Sequence, residues 1–289
     1  HPDAKPARAG PILALSALGL ATHPTLDWMN TYGMRWALPF DSRWSYGDAL
    51  FIIDPWIWLT IGGATFLASD PARVGRALWG TLAALTTLLM LISMGAGAFV
   101  FWCLGLLVIL VLRSTRGPGR DGRRAPAVRI ASLATALYML AMIGAGAWAR
   151  SRVTESASAA GMSVESIMLA PTRGNPFVQD IEIQTHDAYV PGTYTWFRSP
   201  SVQLRPEQAV PRFFSAATIP AVLAQRVVAA ARTRAAVDNY LAWSRYPYVR
   251  VTPDEDGWAV RFSDARYDGQ PEAGGLSGVT VHISTTDIQ

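Results

Sequence analysis

From Ala77 to Leu112 the chain carries no charged residue. A soluble helix of that length rarely lacks a polar face, whereas lipid accepts apolar side chains all round. The run is too long for one crossing of a bilayer, which takes about 20 residues, and the small-residue turn Ser93-Met94-Gly95-Ala96-Gly97 divides it in two. Further charge-free runs cover Ala9 to Leu26, Pro55 to Ser69 and Ile130 to Ala149, and the second continues back to Ala49 around Asp54. Together they predict an α-helical membrane bundle of about five transmembrane helices, near 10–31, 49–69, 73–93, 96–112 and 128–150. Only 16% of the residues are charged, below the roughly one quarter of a soluble domain, and the deficit falls in these spans.

The basic residues give the bundle a direction. Lys5 and Arg8 precede the first span, Arg73 and Arg76 lie between the second and third, and Arg113, Arg116, Arg120, Arg123, Arg124 and Arg129 fall between the fourth and fifth. If the spans alternate, all three clusters share one side, which the positive-inside rule makes cytoplasmic. Residues 1–150 hold thirteen basic and seven acidic side chains, against twelve and fourteen in residues 151–289. The net charge of +4 is therefore a topology signal or an anionic-lipid contact, and no nucleic-acid partner is expected. The loop 32–48 and everything after Arg150 then face outward. Trp28, Trp36, Trp44, Trp56 and Trp148, with Tyr32 and Tyr46, gather near the inferred outer interface, where amphipathic rings prefer to sit; alternatively some of them pack the loop. The first span carries no small-residue cleavage site of a signal peptide. The chain begins with His1 rather than methionine, which raises the expectation of residues upstream. Cys103 is the single cysteine, so no intramolecular disulfide and no cysteine-rich zinc site is available.

After Arg150 the pattern changes to short alternating segments. Ile181–Gln184, Tyr248–Val251, Ala259–Phe262 and Val279–Ile283 each place apolar residues on one face of a strand, and Asp254-Glu255-Asp256-Gly257 reads as a hairpin turn. A helix is expected between about Pro220 and Ser244, a linker or helical extension over 150–161, and a loop over 271–278. Residues 151–289 are thus expected to form a small α+β extracytoplasmic domain, and 1–150 the membrane domain. His186 and His282 are isolated from any ligand-like spacing and read as surface or strand histidines.

Chemistry is sought among ionisable groups that topology does not explain. His23 and Asp27, in Thr22-His23-Pro24-Thr25-Leu26-Asp27, are four apart and project from one face of a helix. They can bind one divalent metal ion, or they form a structural hydrogen bond that ties the first span to its neighbours. Pro24 between them is expected to kink the helix. Asp54, in Phe51-Ile52-Ile53-Asp54-Pro55, stands at the same depth. It joins a site if the first two helices are adjacent, or caps a helix that starts at Pro55. Arg43 meets an anionic substrate or faces solvent and headgroups.

The stretch His23-Pro24-Thr25-Leu26-Asp27-Trp28-Met29-Asn30-Thr31-Tyr32-Gly33, with Leu38-Pro39-Phe40 and Leu50-Phe51-Ile52-Ile53-Asp54-Pro55, resembles the YdjM-like family of inner-membrane, metal-dependent hydrolases. Trp243-Ser244-Arg245-Tyr246-Pro247 and Ser263-Asp264-Ala265-Arg266-Tyr267 are similar to the outward domain of its longer members. The resemblance is specific over the first 55 residues and weaker afterwards. It implies a multi-span protein of the bacterial inner membrane, distantly similar to zinc-dependent phospholipase C and its related nucleases, whose metal sites include a His-x-x-x-Asp helix. On that resemblance His23 and Asp27 are metal ligands, zinc being the first choice of metal, and Asp54 is a site residue. The family's further motifs of the kind Pro-Asp-x-Asp and Arg-Gly-x-Thr-His-Ser do not occur in this sequence. It therefore supplies two or three ligands where a hydrolytic centre takes three protein ligands plus water.

Two readings of function follow. One is a membrane-bound hydrolase whose metal activates water at the outer membrane face, with Asp54 or Asp27 orienting the nucleophile and a phosphoester or lipid-like substrate. The other is a non-catalytic membrane scaffold whose outward domain binds a partner. A transporter is disfavoured, because the spans between Arg76 and Leu112 carry no polar pathway and no inverted repeat is evident.

Overall fold

The computed structural model describes residues 8–69, 73–93, 95–115, 124–267 and 276–288. His1, Lys5, Met94, Arg116, Arg120, Arg123 and most of the expected loop 271–278 lie outside the described residues. The chain divides into two units: residues 1–152 with 168–180 and 194–201, and residues 153–167 with 181–193 and 202–289.

Helices build most of the first unit. They are α1 (Ala9–Met29), α2 (Pro55–Ile57) running through a π-helical turn (Trp58–Gly62) into α3 (Gly63–Ala68), α4 (Arg73–Ser93), α5 (Ala96–Ser114) and α6 (Arg124–Ala159). Among the described residues, three stretches are long and apolar enough to cross a membrane: Arg73–Ser93, Ala96–Ser114 and Val128–Ala159. Pro55–Ala68 is apolar but shorter, and α1, although 21 residues long, is not among the three. Side chains such as Leu20, Leu78, Ile92 and Phe101 on α1, α4 and α5 are exposed, as expected of helices whose solvent is lipid. The antiparallel α4 and α5 are tied by the Trp102 indole, which donates to Thr87 Oγ1 at 3.1 Å. Arg113, in the last turn of α5, donates to the Ser69 carbonyl beyond the end of α3.

The connection from α1 to α2 folds back on α1. Asn30 Oδ1 accepts from Tyr32 N, and Gly33 follows at φ +78, where a Cβ would press into the Tyr46 ring and the Ser45 carbonyl. That position excludes every side chain on steric and torsional grounds. Met34 and Ser45 then pair as an antiparallel bridge, the Trp28 indole donates to Ser45 Oγ, and the amides of Gly47, Ala49 and Leu50 donate to the carbonyls of Trp28 and Met29. Met29, Ala49, Leu50 and Met142 are buried together, with Ile57 and Tyr138 packed around them. The start of α2, the end of α1 and the middle of α6 therefore meet at one place.

Of the two expectations for 150–161, the helical extension is the one present: residues 150–159 are the last part of α6. A 36-residue helix is about 54 Å long, well beyond the roughly 30 Å hydrocarbon core of a bilayer. It stops where Gly161 adopts φ +74 and Met162 N reaches back to the Ala157 carbonyl, a Schellman closure that satisfies orphan carbonyls.

The remaining chain is β-rich. Strands β1 (Ser166–Thr172), β2 (Asn175–Gln184), β3 (Ala188–Thr195), β4 (Val202–Leu204) and β5 (Val210–Pro211) form a sheet in the order β1-β2-β3-β4, with β5 beside β3. Strands β6 (Phe213–Ser215), β7 (Pro247–Asp254), β8 (Gly257–Asp264) and β9 (Gly278–Ser284) form a second sheet in that order. β6 is parallel to β7, and the other neighbours are antiparallel. The expected Asp254–Gly257 turn closes β7 onto β8, with Asp254 opposite Gly257.

The single helix expected over 220–244 is two, α7 (Ala221–Arg232) and α8 (Ala235–Trp243). Thr233 N and Arg234 N bond the carbonyls three residues back, which tightens the last turn of α7 and redirects the chain. Ala224, Val227, Val228 and Ala231 of α7 and Val237 of α8 then pack in one core with Val249, Val251, Val260, Phe262 and Ile283 of the sheet.

Candidate functional site

α1 runs unbroken through Pro24, a residue that normally interrupts helical hydrogen bonding. Thr22 and Thr25 donate to the carbonyls of Gly19 and Ala21, so the hydroxyls of this segment are spent on its own backbone. The helix therefore places His23 and Asp27 on one face: Nε2 lies 3.2 Å from Oδ2, with the side chains 83% and 45% exposed. An exposed pair of this kind adds little stability. It is an accessible imidazole and carboxylate side by side near the end of a helix.

Asp54 sits differently. It is the residue before α2 and acts as its N-cap: Oδ1 accepts from the amides of Trp56 and Ile57 at 2.9 and 3.1 Å, with Pro55 in the first helical position. Its other oxygen accepts the Tyr138 hydroxyl at 2.8 Å. The capping role weighed from the sequence is present, and the side chain is buried. Three residues before Tyr138 on α6, the Thr135 hydroxyl bonds the Thr60 hydroxyl at 2.9 Å; Thr60 belongs to the π-helical turn and also donates back to Trp56 and Ile57. Tyr138 and Thr135 are thus two polar rungs from one face of α6 to the second helical segment.

A third link lies on the same face of α6, where Tyr138, Met142, Gly146 and Arg150 follow at spacings of four. Arg150 Nη2 is 3.3 Å from Oδ2 of Asp48, whose side chain is 1% exposed. Asp48 takes a positive φ of 49 without being glycine, a conformation tolerated best by short polar residues. Neither Asp48 nor Tyr138 was expected from the sequence. Asp48 was assigned with the outward loop, and Tyr138 lay inside a charge-free span. The legible signal was the i,i+3 pair Thr135 and Tyr138 in an otherwise apolar helix, because polar groups at such depth are paired or functional.

Elsewhere the candidate groups are dispersed. Arg43 pairs with Asp41 in the loop at 2.7 Å, and this guanidinium, with the Arg43 amide, holds the Asp41 carboxyl below its ordinary range. His186 lies 3.7 Å from Glu165, and His282 Nδ1 lies 3.0 Å from Asp254 at the hairpin end. Among the described residues no three histidine, cysteine or acidic side chains converge in a way that could hold a metal ion. The structure brings His23 to Asp27 and joins Asp54 to Tyr138.

The two motifs of the C-terminal half come together on Asp264, the last residue of β8. Its carboxylate is fully buried and accepts from Ser244 Oγ, the amides of Arg245, Tyr246 and Arg266, and the Arg266 guanidinium at Nε and Nη2. Burial pushes the carboxyl up, but the hydrogen bonds and charge of Arg266 and the Ser244 hydroxyl outweigh it and hold the group below the usual carboxylate range. The Arg266 guanidinium lies 5.0 Å from the Trp243 ring and 5.2 Å from the Tyr267 ring, and those rings stack on each other. The conjunction is a lock on the C-terminal fold, with its carboxylate fully buried.

Comparison with known proteins covers the first part of the chain. Residues 4–115 match the family described as the YdjM inner membrane protein, the family that the motifs of residues 23–55 resemble. That match spans α1 to α5 and contains His23, Asp27 and Asp54. No curated protein and no solved structure matches the chain.

Proposed function

We propose that this chain, an inner-membrane protein of YdjM type over residues 4–115, is a multi-span, metal-dependent hydrolase working at the outer membrane face. The observation that carries the reading is the His23–Asp27 pair, 3.2 Å apart and accessible on one helix face, inside the family segment. These two side chains supply two donors of the three that a hydrolytic zinc centre takes from protein. Asp54 does not complete the set in this structure, because both of its oxygens are engaged by the start of α2 and by Tyr138. The pair fits one edge of a metal centre and does not fill it. A bound divalent ion, zinc first, supplies Lewis acidity and an activated water.

The chain's own residues do the rest of the positioning. Asp27 keeps its carboxylate 3.2 Å from Nε2 of His23. Asp54 and Tyr138 hold the second helical segment against α6, and Asp48 and Arg150 hold the returning loop. In this reading Asp54 acts as a positioning group beside the donor pair. Five spans that alternate, with Arg73, Arg76, Arg113 and Arg129 on the cytoplasmic side, put His23 and Asp27 at the outer face at headgroup depth and residues 151–289 outside. A site at that depth favours a phosphoester or lipid-like substrate. Phospholipid vesicles incubated with the full chain and zinc are expected to release a headgroup or acyl product, which chelation abolishes and His23→Ala removes. Product release that survives both changes contradicts the assignment.

The second reading, a membrane scaffold, is favoured by one observation. Asp54, Tyr138, Thr60, Thr135, Asp48 and Arg150 are all spent on ties within the bundle. Metal-free protein that still captures a partner through residues 151–289 supports it.

A further inference from the structure

Between α3 with its preceding π-helical turn, α4 and α5 lies a cavity of about 620 Å³, a size ordinary for small-ligand sites. Its walls are apolar and include the rings of Trp58, Phe66, Trp79 and Trp102. Along α4 it reaches from Arg76 to Thr86, about 15 Å at 1.5 Å per residue, which is half of a roughly 30 Å hydrocarbon core and so the depth of one leaflet. Gly62 and Gly80 line it, and a Cβ built on either meets nothing within 4 Å. The space is open at these positions.

Basic side chains stand at one end of the cavity. Arg76, in the first turn of α4, belongs to its wall. Arg113, in the last turn of the antiparallel α5, lies with its guanidinium 5.4 Å from the ring of Phe66. Inside a membrane the apolar lining gives an acyl chain no hydrophobic advantage over bulk lipid, whose tails are equally apolar. Selection therefore falls to shape and to the charged end. Guanidinium groups suit phosphate geometry, and each basic group near a membrane surface favours an anionic headgroup by about five-fold.

We infer that this cavity is a binding site for one anionic phospholipid, its acyl chain lying along Gly62 and Gly80 and its phosphate at Arg76. The inference is independent of the hydrolase reading and needs only the membrane setting. The test is native mass spectrometry of the full chain released from detergent with added phosphatidylglycerol or phosphatidylcholine. Wild type is expected to keep one phosphatidylglycerol, with a preference on the order of five-fold over phosphatidylcholine. Gly80→Leu fills the cavity and is expected to lose that lipid; Ala83→Leu, on the same wall, is the second filler should Gly80→Leu not assemble. Arg76→Gln is expected to keep one lipid but to bind the two headgroups equally. Gly19→Leu on α1, where a Cβ also meets nothing, is expected to behave as wild type. Equal retention of both lipids by wild type, undiminished binding in the fillers, or loss in Gly19→Leu as well overturns the inference.

Discussion

Replacing Asp264 by alanine removes the acceptor of six hydrogen bonds, two of them from a guanidinium that is itself only 4% exposed. Arg266 then loses the carboxylate it pairs with while buried, and the amides of Arg245 and Tyr246 lose an acceptor. Breaking a buried pair in this way costs about 3–5 kcal/mol, a large part of the stability of a single domain. Hydrogen exchange of the full chain in detergent reads the change locally, because protected strand amides exchange through opening reactions. At about 1.4 kcal/mol per ten-fold, the amides of β7 and β8 are expected to exchange roughly two to four decades faster. Those of α4 and α5 are expected to keep their rates. Asp254→Ala, which removes an exposed acceptor of His282 and of the Glu255 amide, serves as the control and is expected to cost less than about 1 kcal/mol. Strand amides that exchange within ten-fold of wild type in Asp264→Ala would refute the idea that this carboxylate locks the β7–β8 fold.

The same carboxylate gives a pH dependence. Its pKa is held below the ordinary value in the folded chain, so its contribution is present above the unfolded pKa of about 3.9 and is lost as pH falls through the folded value. Protection of the β7 and β8 amides, taken relative to the intrinsic exchange rate at each pH, is expected to be flat from neutral to about pH 4 and to fall only below it; a fall near pH 6 contradicts this. Tyr189, pushed up to about 12 by burial, donates to the Pro247 carbonyl. Its contribution is present below the unfolded tyrosine pKa of about 10 and is lost as pH rises through the folded value, which alkaline unfolding monitored by tyrosinate absorbance checks. Tyr138→Phe deletes the bond to Asp54 and is expected to cost about 1–2 kcal/mol in thermal unfolding from detergent; an unchanged midpoint contradicts the rung between α2 and α6. Gly33→Ala forces a Cβ into the Tyr46 ring at a positive φ and is expected to lower the melting temperature, whereas Gly19→Ala is expected to be neutral or better.

The parts of the structure that sequence reasoning reached are those where one physical rule acts alone. Lipid demands unbroken apolar helices, so α4, α5 and the membrane part of α6 stand out by the absence of charge. Strands with one buried face alternate, so the hairpin of β7 and β8 is visible from Asp254 to Gly257. β3 was missed because Pro191 and Gly192 interrupt it, residues that normally weaken a strand. β1 was missed because its buried residues Ile167, Met168 and Leu169 are consecutive. The helix break at Thr233 carries no proline or glycine, and it follows from the need of both α7 and α8 to face one sheet. At the candidate site, the i,i+4 rule brought His23 to Asp27, and the cap before Pro55 was one of two readings of Asp54. Its bond to Tyr138 joins residues 84 apart in sequence, and the Asp48–Arg150 pair joins residues 102 apart. No local pattern specifies such contacts, since they depend on which helix faces pack.

Metal analysis tests the proposed zinc at His23 and Asp27 without knowledge of the substrate. Full chain purified in detergent, equilibrated with zinc and freed of excess by gel filtration, is measured by plasma mass spectrometry beside the His23→Ala/Asp27→Ala variant. The account predicts close to one zinc per chain in the wild type and a loss of at least ten-fold in the variant. Zinc-free wild type, or equal zinc in both proteins, contradicts it.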